Sequence, residues 1–406
     1  MTPYSLLCLA LLAAGASASS FGITTLATVT GIVFQDRNGN GARDAGESGL
    51  GGIAVSDQVI VVETAADGSF QLATPQERGV IWVGVPDGFQ VVGKFWRPFG
   101  PGAMAGLEFA LAPHQSPAEF TFVHASDTHV SEASLPRIRR LRALVDSLRP
   151  AFVLLTGDLV RDALRVAEPE ARGYYELVRR ELAEFALPVW TVPGNHELFG
   201  IERHLSLVPR DHPLAGRGMY RHYFGPDYYS FDYGGVHFVG LNTVDQDDLW
   251  YYGHVDSTQL AWLERDAARV RPGTSVVTFN HIPFYSAVEI VGGYRDDPPA
   301  PTLIRVGGGG SARFQFRHTV ANASDVIARL RGHRYTLALG GHVHARETLV
   351  YQTGIPSPRF HQSAAVVGPN PAGNLAMASG ITLYRVHGGD VDDGWFIPLD
   401  PPGAQP

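Results

Sequence analysis

An α/β domain preceded by a small all-β sandwich is the architecture this sequence predicts, and three observations predict it. Residues 19 to about 112 carry short alternating apolar runs separated by glycine-rich turns, with no helical periodicity. From Glu119 onward, apolar runs of four to six residues alternate with helix-spaced patterns. The length of 406 residues exceeds one ordinary domain and leaves room for two or three units with a buried core.

The elements follow in order. Residues 1–18 read as a signal peptide: an apolar run from Leu6 to Ala14, then Ala16-x-Ala18 as a cleavage site, with only the α-amino group as positive n-region. The run is shorter than the roughly 20 apolar residues of a spanning helix, so no transmembrane segment is expected in the mature chain. Export to the periplasm or the medium is the expectation. The single cysteine, Cys8, lies inside this segment, so a chain starting near Ser19 carries no thiol and no disulfide.

Within 19–112, the runs Ile53-Ala54-Val55, Val59-Ile60-Val61-Val62 and Val80-Ile81-Trp82-Val83, with turns at Asp67-Gly68 and Pro86-Asp87-Gly88, predict an antiparallel sandwich. Asp36, Asn38, Asn40, Gly41, Asp44 and Glu47 have the spacing of a twelve-residue calcium loop, including the glycine at its sixth position. Its flanks read as strands, so it is not an EF-hand. The competing reading is a polar Asx-rich loop that holds no ion. Residues 113–118, containing Pro113 and Pro117, form a linker to the unit at 119–400.

In that second unit Ile138, Leu141, Val145 and Leu148 repeat at helical spacing, as do Leu260, Leu263, Ala267 and Val270 behind a capping box of Asp256 and Gln259. Pro298, Pro299 and Pro301 with Gly307–Gly310 read as a long mobile loop. Composition weighs against three classes. A hydrophobic share of 45% with 18% charged residues fits neither disorder nor a multi-span membrane protein. A net charge of -8 gives no long-range attraction for polyanions and argues against a nucleic-acid binder.

Five apolar runs each stop at a polar cluster: Asp127-Thr128-His129, Gly157-Asp158, Gly194-Asn195-His196-Glu197, Asn280-His281 and Gly341-His342-Val343-His344. In an open α/β sheet, groups at the carboxyl ends of strands converge on one ligand site. Imidazoles, carboxylates and one amide oxygen, without sulfur, suit Mn, Fe, Zn or a similar divalent ion. Seven candidate ligands exceed one ion's usual set, and become eight positions when one carboxylate bridges two ions. Each fragment alone is commonplace, Gly-Asp above all; the ordered set is not.

This set resembles the calcineurin-like metallophosphoesterase superfamily over residues 119 to 350, as do the runs Tyr228–Val236 and Gln259–Leu263. The resemblance implies a two-layered α/β domain completed by C-terminal strands such as Ile381–Tyr384. It implies one metal on Asp127, His129, Asp158 and His344, and a second on Asp158, Asn195, His281 and His342. The implied activity is hydrolysis of a small-molecule phosphomonoester or phosphodiester, with His196 as general acid and Glu197 as the partner fixing its tautomer. Purple acid phosphatases carry a ligand tyrosine shortly after Gly-Asp; Gly157-Asp158-Leu159-Val160 has none, so that subclass is not assigned. The calcium-type loop, with Ala65–Phe70, resembles B-type calcium repeats and the prealbumin-like domain ahead of some bacterial members. Two rivals stand beside this reading: a nuclease, which needs a basic stripe that the loops lack, and a non-catalytic calcium-dependent surface-binding protein. Of the 16 histidines, eleven lie outside the blocks and default to surface or core roles, with His222 and His254 in aromatic loops that can line a cleft.

Overall fold

The computed structural model describes residues 26–76, 78–288, 303–308, 310, 312–352, 357–372 and 375–400. The expected signal peptide, Cys8 and the proline-rich part of the expected mobile loop lie outside them.

Residues 27–113 form two four-stranded sheets. One is ordered Ser69–Thr74, Ala27–Gln35, Met104–Pro113, Phe89–Val92; the other Val61–Glu63, Ala54–Ser56, Gly79–Val83, Trp96–Phe99. Ser69–Thr74 alternates strictly between exposed and buried side chains, the signature of a sheet covered on one face. One pairing departs from the antiparallel expectation, because Ala27–Gln35 runs parallel to Met104–Pro113. These strands lie nearly eighty residues apart in sequence, so no hairpin turn dictates their sense.

Two six-stranded sheets form the body of the second unit, beside three two-stranded hairpins among the described residues. The first runs Val189–Val192, Val153–Thr156, Glu119–Ala125, Gly380–His387, Asp390–Val391, with Trp395–Pro398 added on Gly380–His387. The second runs Tyr229–Tyr233, Val236–Gly240, Ser275–Phe279, Arg334–Gly340, Arg359–Gln362, Glu347–Leu349. Val153–Thr156 and Ser275–Phe279 are buried at every position, as strands of parallel sheets covered on both faces must be. The sheets face each other through aromatic rings: Trp190 stacks on Phe231 at 4.1 Å, and Phe152 meets Phe238 edge-on at 5.1 Å. Helices lie outside. Leu135–Leu148 buries Ile138, Leu141 and Val145, and Glu168–Ala183 buries Ala171, Tyr175, Leu177 and Val178, all against the first sheet.

Three local expectations change. The capping box at Ser257–Ala267 closes only halfway. Asp256 accepts the Gln259 N–H at 2.9 Å, but the Gln259 amide spends both its oxygen and its nitrogen on the Asn242 backbone. That helix ends at Ala267, so Val270 lies beyond it. The glycine-rich stretch is flanked by an antiparallel hairpin, Leu303–Val306 with Arg313–Phe316, whose Ile304 and Val306 pack against Tyr252.

The β-sandwich and the second unit share one core, in which Trp82 contacts Trp262 and Phe95 contacts Trp190. Buried Gln58 donates to Asp227 at 2.9 Å, and Asp87 accepts the backbone N–H groups of Gly234 and Gly235. In the calcium-type loop, the Asp36 carboxylate accepts the N–H groups of Gly39 and Gly41, while Glu47 accepts those of Arg37 and Asp44. Asn38 and Asn40 both donate to Asp44 at 2.8 Å and hold its carboxyl below the usual range. An ion there requires both amides to turn their oxygens inward.

Candidate metal centre

The strands Glu119–Ala125, Val153–Thr156 and Val189–Val192 are mutually parallel, as are Ser275–Phe279, Arg334–Gly340 and Arg359–Gln362. Five of the six, all but Arg359–Gln362, end in one of the polar clusters. Steric economy brings the turns together. A Cβ on Gly157, whose φ is +82°, would lie 2.7 Å from His281 Nδ1, and one on Gly194 would lie 2.2 Å from Asp158 Oδ1.

Two groups of side chains converge there. Asp127, His129, Asp158 and His344 bring one ligand atom each to within 4.8 Å of one another, and Asp158, His281 and His342 do the same. Asn195 joins the second group, its Oδ1 being 3.1 Å from His281 Nε2. Asp158 serves both: Oδ2 faces His129 Nε2 at 3.6 Å, and Oδ1 faces His281 Nε2 at 3.2 Å. All seven sequence-predicted ligands are thus brought together in the two groupings the resemblance implied.

The donor set fits divalent cations. Asp127 Oδ1 is fully buried and has no hydrogen bond, although it points into the cluster 3.1 Å from His344 Nε2. His129 Nε2 and His344 Nε2 face each other at 3.3 Å, convergent lone pairs that a shared cation satisfies. The remote ring nitrogens are spoken for: His129 Nδ1 lies 3.4 Å from the Arg161 carbonyl, and His281 Nδ1 donates to the Thr156 carbonyl at 2.7 Å. Such outer partners fix the tautomer that leaves the inner nitrogen free for a metal. Asp127, His129, Asp158, His342 and His344 all have positive φ, between 38° and 70°. This region costs a non-glycine residue about 1 kcal/mol or more, and such strain concentrates at functional sites.

Electrostatics within the bare cluster are strongly opposed. Burial would raise the Asp158 carboxyl, yet the imidazoles of His281, His196 and His129 hold it well below its ordinary range. Burial likewise disfavours the charged His281 ring, but Asp158 and Asp127 push it up to about 9. His342 is driven well down by burial and by the neighbouring His318 and His281.

His196 is placed as expected and Glu197 is not. His196 Nδ1 donates to the Arg161 carbonyl at 2.7 Å, leaving Nε2 toward the cluster, 3.8 Å from Asp158 Oδ2. The Arg161 carbonyl, rather than Glu197, fixes that tautomer. Asn195–Glu197 is a single 3-10 turn, which sends Glu197 to the opposite side. Its carboxylate accepts the N–H groups of Asp158, Leu159, Val160 and Gly194 at 2.6–2.9 Å. Burial and the Asp158 charge push this carboxyl up to about 8, against those donors.

Sequence reasoning missed a second tier of residues. His318 Nδ1 lies 2.6 Å from His342 Nε2, and the Tyr251 ring stands edge-on to His342 at 6.0 Å. Neither belongs to a recognisable motif; only the run Trp250-Tyr251-Tyr252 stands out as aromatic. Of the two histidines in aromatic loops, His254 is bonded to Asp245 and His222 packs on Tyr223.

The family model for calcineurin-like phosphoesterases matches residues 120–346, more than half of the chain. The chain belongs to the calcineurin-like phosphoesterase family. No curated protein sequence matches it at a significant level. Among solved structures, a dimetal phosphatase from Danio rerio is similar at 15% identity, over 69% of this chain and 99% of that one, with a TM-score of 0.44. The GAP50 anchor of the inner membrane complex of Plasmodium is similar at 11% identity, over 70% of this chain and 85% of that one, also with a TM-score of 0.44. Among the described residues of this phosphoesterase, no helix is long and apolar enough to cross a membrane.

Proposed function

We propose that this phosphoesterase is an exported enzyme hydrolysing a small-molecule phosphomonoester or phosphodiester at a dinuclear centre. The convergence of Asp127, His129, Asp158, Asn195, His281, His342 and His344 carries the reading, with Asp158 as the bridge. Bound there, two divalent ions such as Mn, Fe or Zn supply charge compensation for the phosphoryl oxygens and an activated water.

The chain's own residues do the rest. With two divalent ions bound, Asp158 and Asp127 would offset part of their charge and leave a net field of about two positive units facing the substrate on an otherwise acidic protein. Asn195 contributes a neutral ligand oxygen and keeps the field positive. His196, held by the Arg161 carbonyl, presents Nε2 at the rim of the cluster, where it can hand a proton to the leaving oxygen. The apolar run at Leu6–Ala14 supports export.

The test is metal reconstitution of the full chain, followed by hydrolysis of p-nitrophenyl phosphate and its diester. Wild type is expected to bind two ions and turn over at least one ester. Asp158→Asn should lose both the activity and the second ion. Wild-type turnover and full metal content in Asp158→Asn would sink the dinuclear reading.

A further inference from the structure

We propose that Arg317 is an anion receptor on the His342 flank of the metal centre, and that it selects phosphate monoesters over diesters. This inference rests on the phosphoesterase reading and names the substrate class for that site.

Arg317 is only 2% exposed. Three other partly buried arginines have carboxylate partners: Arg217 has Asp245 and Asp256, Arg221 has Asp227, and Arg165 has Asp162 and Glu202. Among the described residues, no carboxylate forms an ion pair with Arg317. Its Nε is buried without a hydrogen bond. The guanidinium instead lies on aromatic faces, with Cζ 3.9 Å from the Tyr251 ring centroid and 5.3 Å from that of Trp250. Stacking of this kind orients the plane while leaving in-plane N–H donors for another partner. A guanidinium taken out of water without an anion is costly to the fold, and a bound anion removes that cost.

Its position says which anion. The Tyr251 ring that carries Arg317 stands against His342, and the next residue, His318, touches His342 Nε2 at 2.6 Å. The guanidinium is therefore one aromatic ring away from a metal-ligand histidine. The segment is rigidly tied. Val320 N donates to the Pro283 carbonyl and Ala321 N to the Gly253 carbonyl, and a Cβ on Gly253 would lie 2.1 Å from the Thr319 carbonyl oxygen. On this reading, a phosphoryl group at the centre is met by a fixed, planar donor fork. A monoester dianion offers that fork a charged oxygen free of substituents, matching the bidentate geometry of arginine. A diester has one charge fewer and a second ester substituent in place of one free oxygen.

The experiment uses metal-loaded full-length wild type, Arg317→Met and Arg317→Lys. Inorganic phosphate binding is measured by calorimetry, kcat/KM on p-nitrophenyl phosphate and bis(p-nitrophenyl) phosphate, and metal content in parallel. Wild type should prefer the monoester. Arg317→Met should weaken phosphate binding and monoester kcat/KM by about tenfold or more, with diester kcat/KM within about threefold and metals retained. Arg317→Lys, which keeps the charge but not the fork, should fall between. Without phosphate, Arg317→Met should be no less stable than wild type, which a purely structural arginine would not allow. If the Met variant fails to fold, Arg317→Gln replaces it. Unchanged phosphate binding in the variant, equal losses on both esters, or a diester preference in wild type overturns the proposal. Failure of wild type to hydrolyse either ester with both ions bound would instead overturn the phosphoesterase reading, and phosphate calorimetry would still decide Arg317.

Discussion

Replacing Glu197 with Gln tests how the metal-ligand turns are held. The Glu197 carboxylate accepts four backbone N–H groups: Leu159 and Val160 on Oε1, Asp158 and Gly194 on Oε2. Glutamine keeps one oxygen and turns an NH2 group toward the other two donors. Above about pH 8, where the Glu197 carboxyl is ionised, two charge-assisted bonds are lost, each worth about 1.5–3 kcal/mol, and two buried N–H groups are left facing a donor. The expected loss is therefore roughly 3–6 kcal/mol, a large share of a typical stability of about 5–15 kcal/mol. Both Gly157-Asp158 and Gly194-Asn195 hang on this carboxylate, so bound metal should fall as well. Urea denaturation of the metal-free protein reads the first effect and metal analysis after reconstitution the second. A loss under about 1 kcal/mol with metals retained would show that the carboxyl is protonated and glutamine its near-isostere, refuting the ionised-anchor argument.

Three further outcomes are expected. His196→Gln should slow alkyl phosphate esters by roughly a hundredfold and p-nitrophenyl esters far less, with metals retained; equal losses on both would remove the acid role. His237 is buried between Asp232 and Asp266 at 2.7 and 2.9 Å; burial opposes its charge, but the two carboxylates push it up to about 10. Its contribution, on the order of a few kcal/mol, should be complete below about pH 6.5 and vanish as pH rises through about 10. The stability gap between wild type and His237→Asn should narrow over that window, and a gap independent of pH would reject the assignment. Millimolar calcium should raise the thermal midpoint of the full chain, and Asp36→Ala with Glu47→Ala should abolish the shift; no shift in wild type would leave Asp36–Glu47 a self-bonded polar loop.

The strands were legible in the sequence, because burial on both faces demands unbroken runs such as Val153–Thr156, and so were the candidate ligands, because five of these runs stop at a polar cluster with metal-binding chemistry. The sequence also carried the family. Only the tertiary structure decided where side chains that belong to no motif point. Glu197 follows His196 in the chain but faces away from it, since successive side chains of a 3-10 turn project about 120° apart. The sense of pairing between Ala27–Gln35 and Met104–Pro113 is set by packing across nearly eighty residues, beyond the reach of turn chemistry. His318 and Tyr251 reach His342 from segments whose placement depends on backbone bonds to Gly253 and Pro283. Local periodicity encodes which face of an element is buried; contacts between distant segments are decided by the packing of the sheets that carry them.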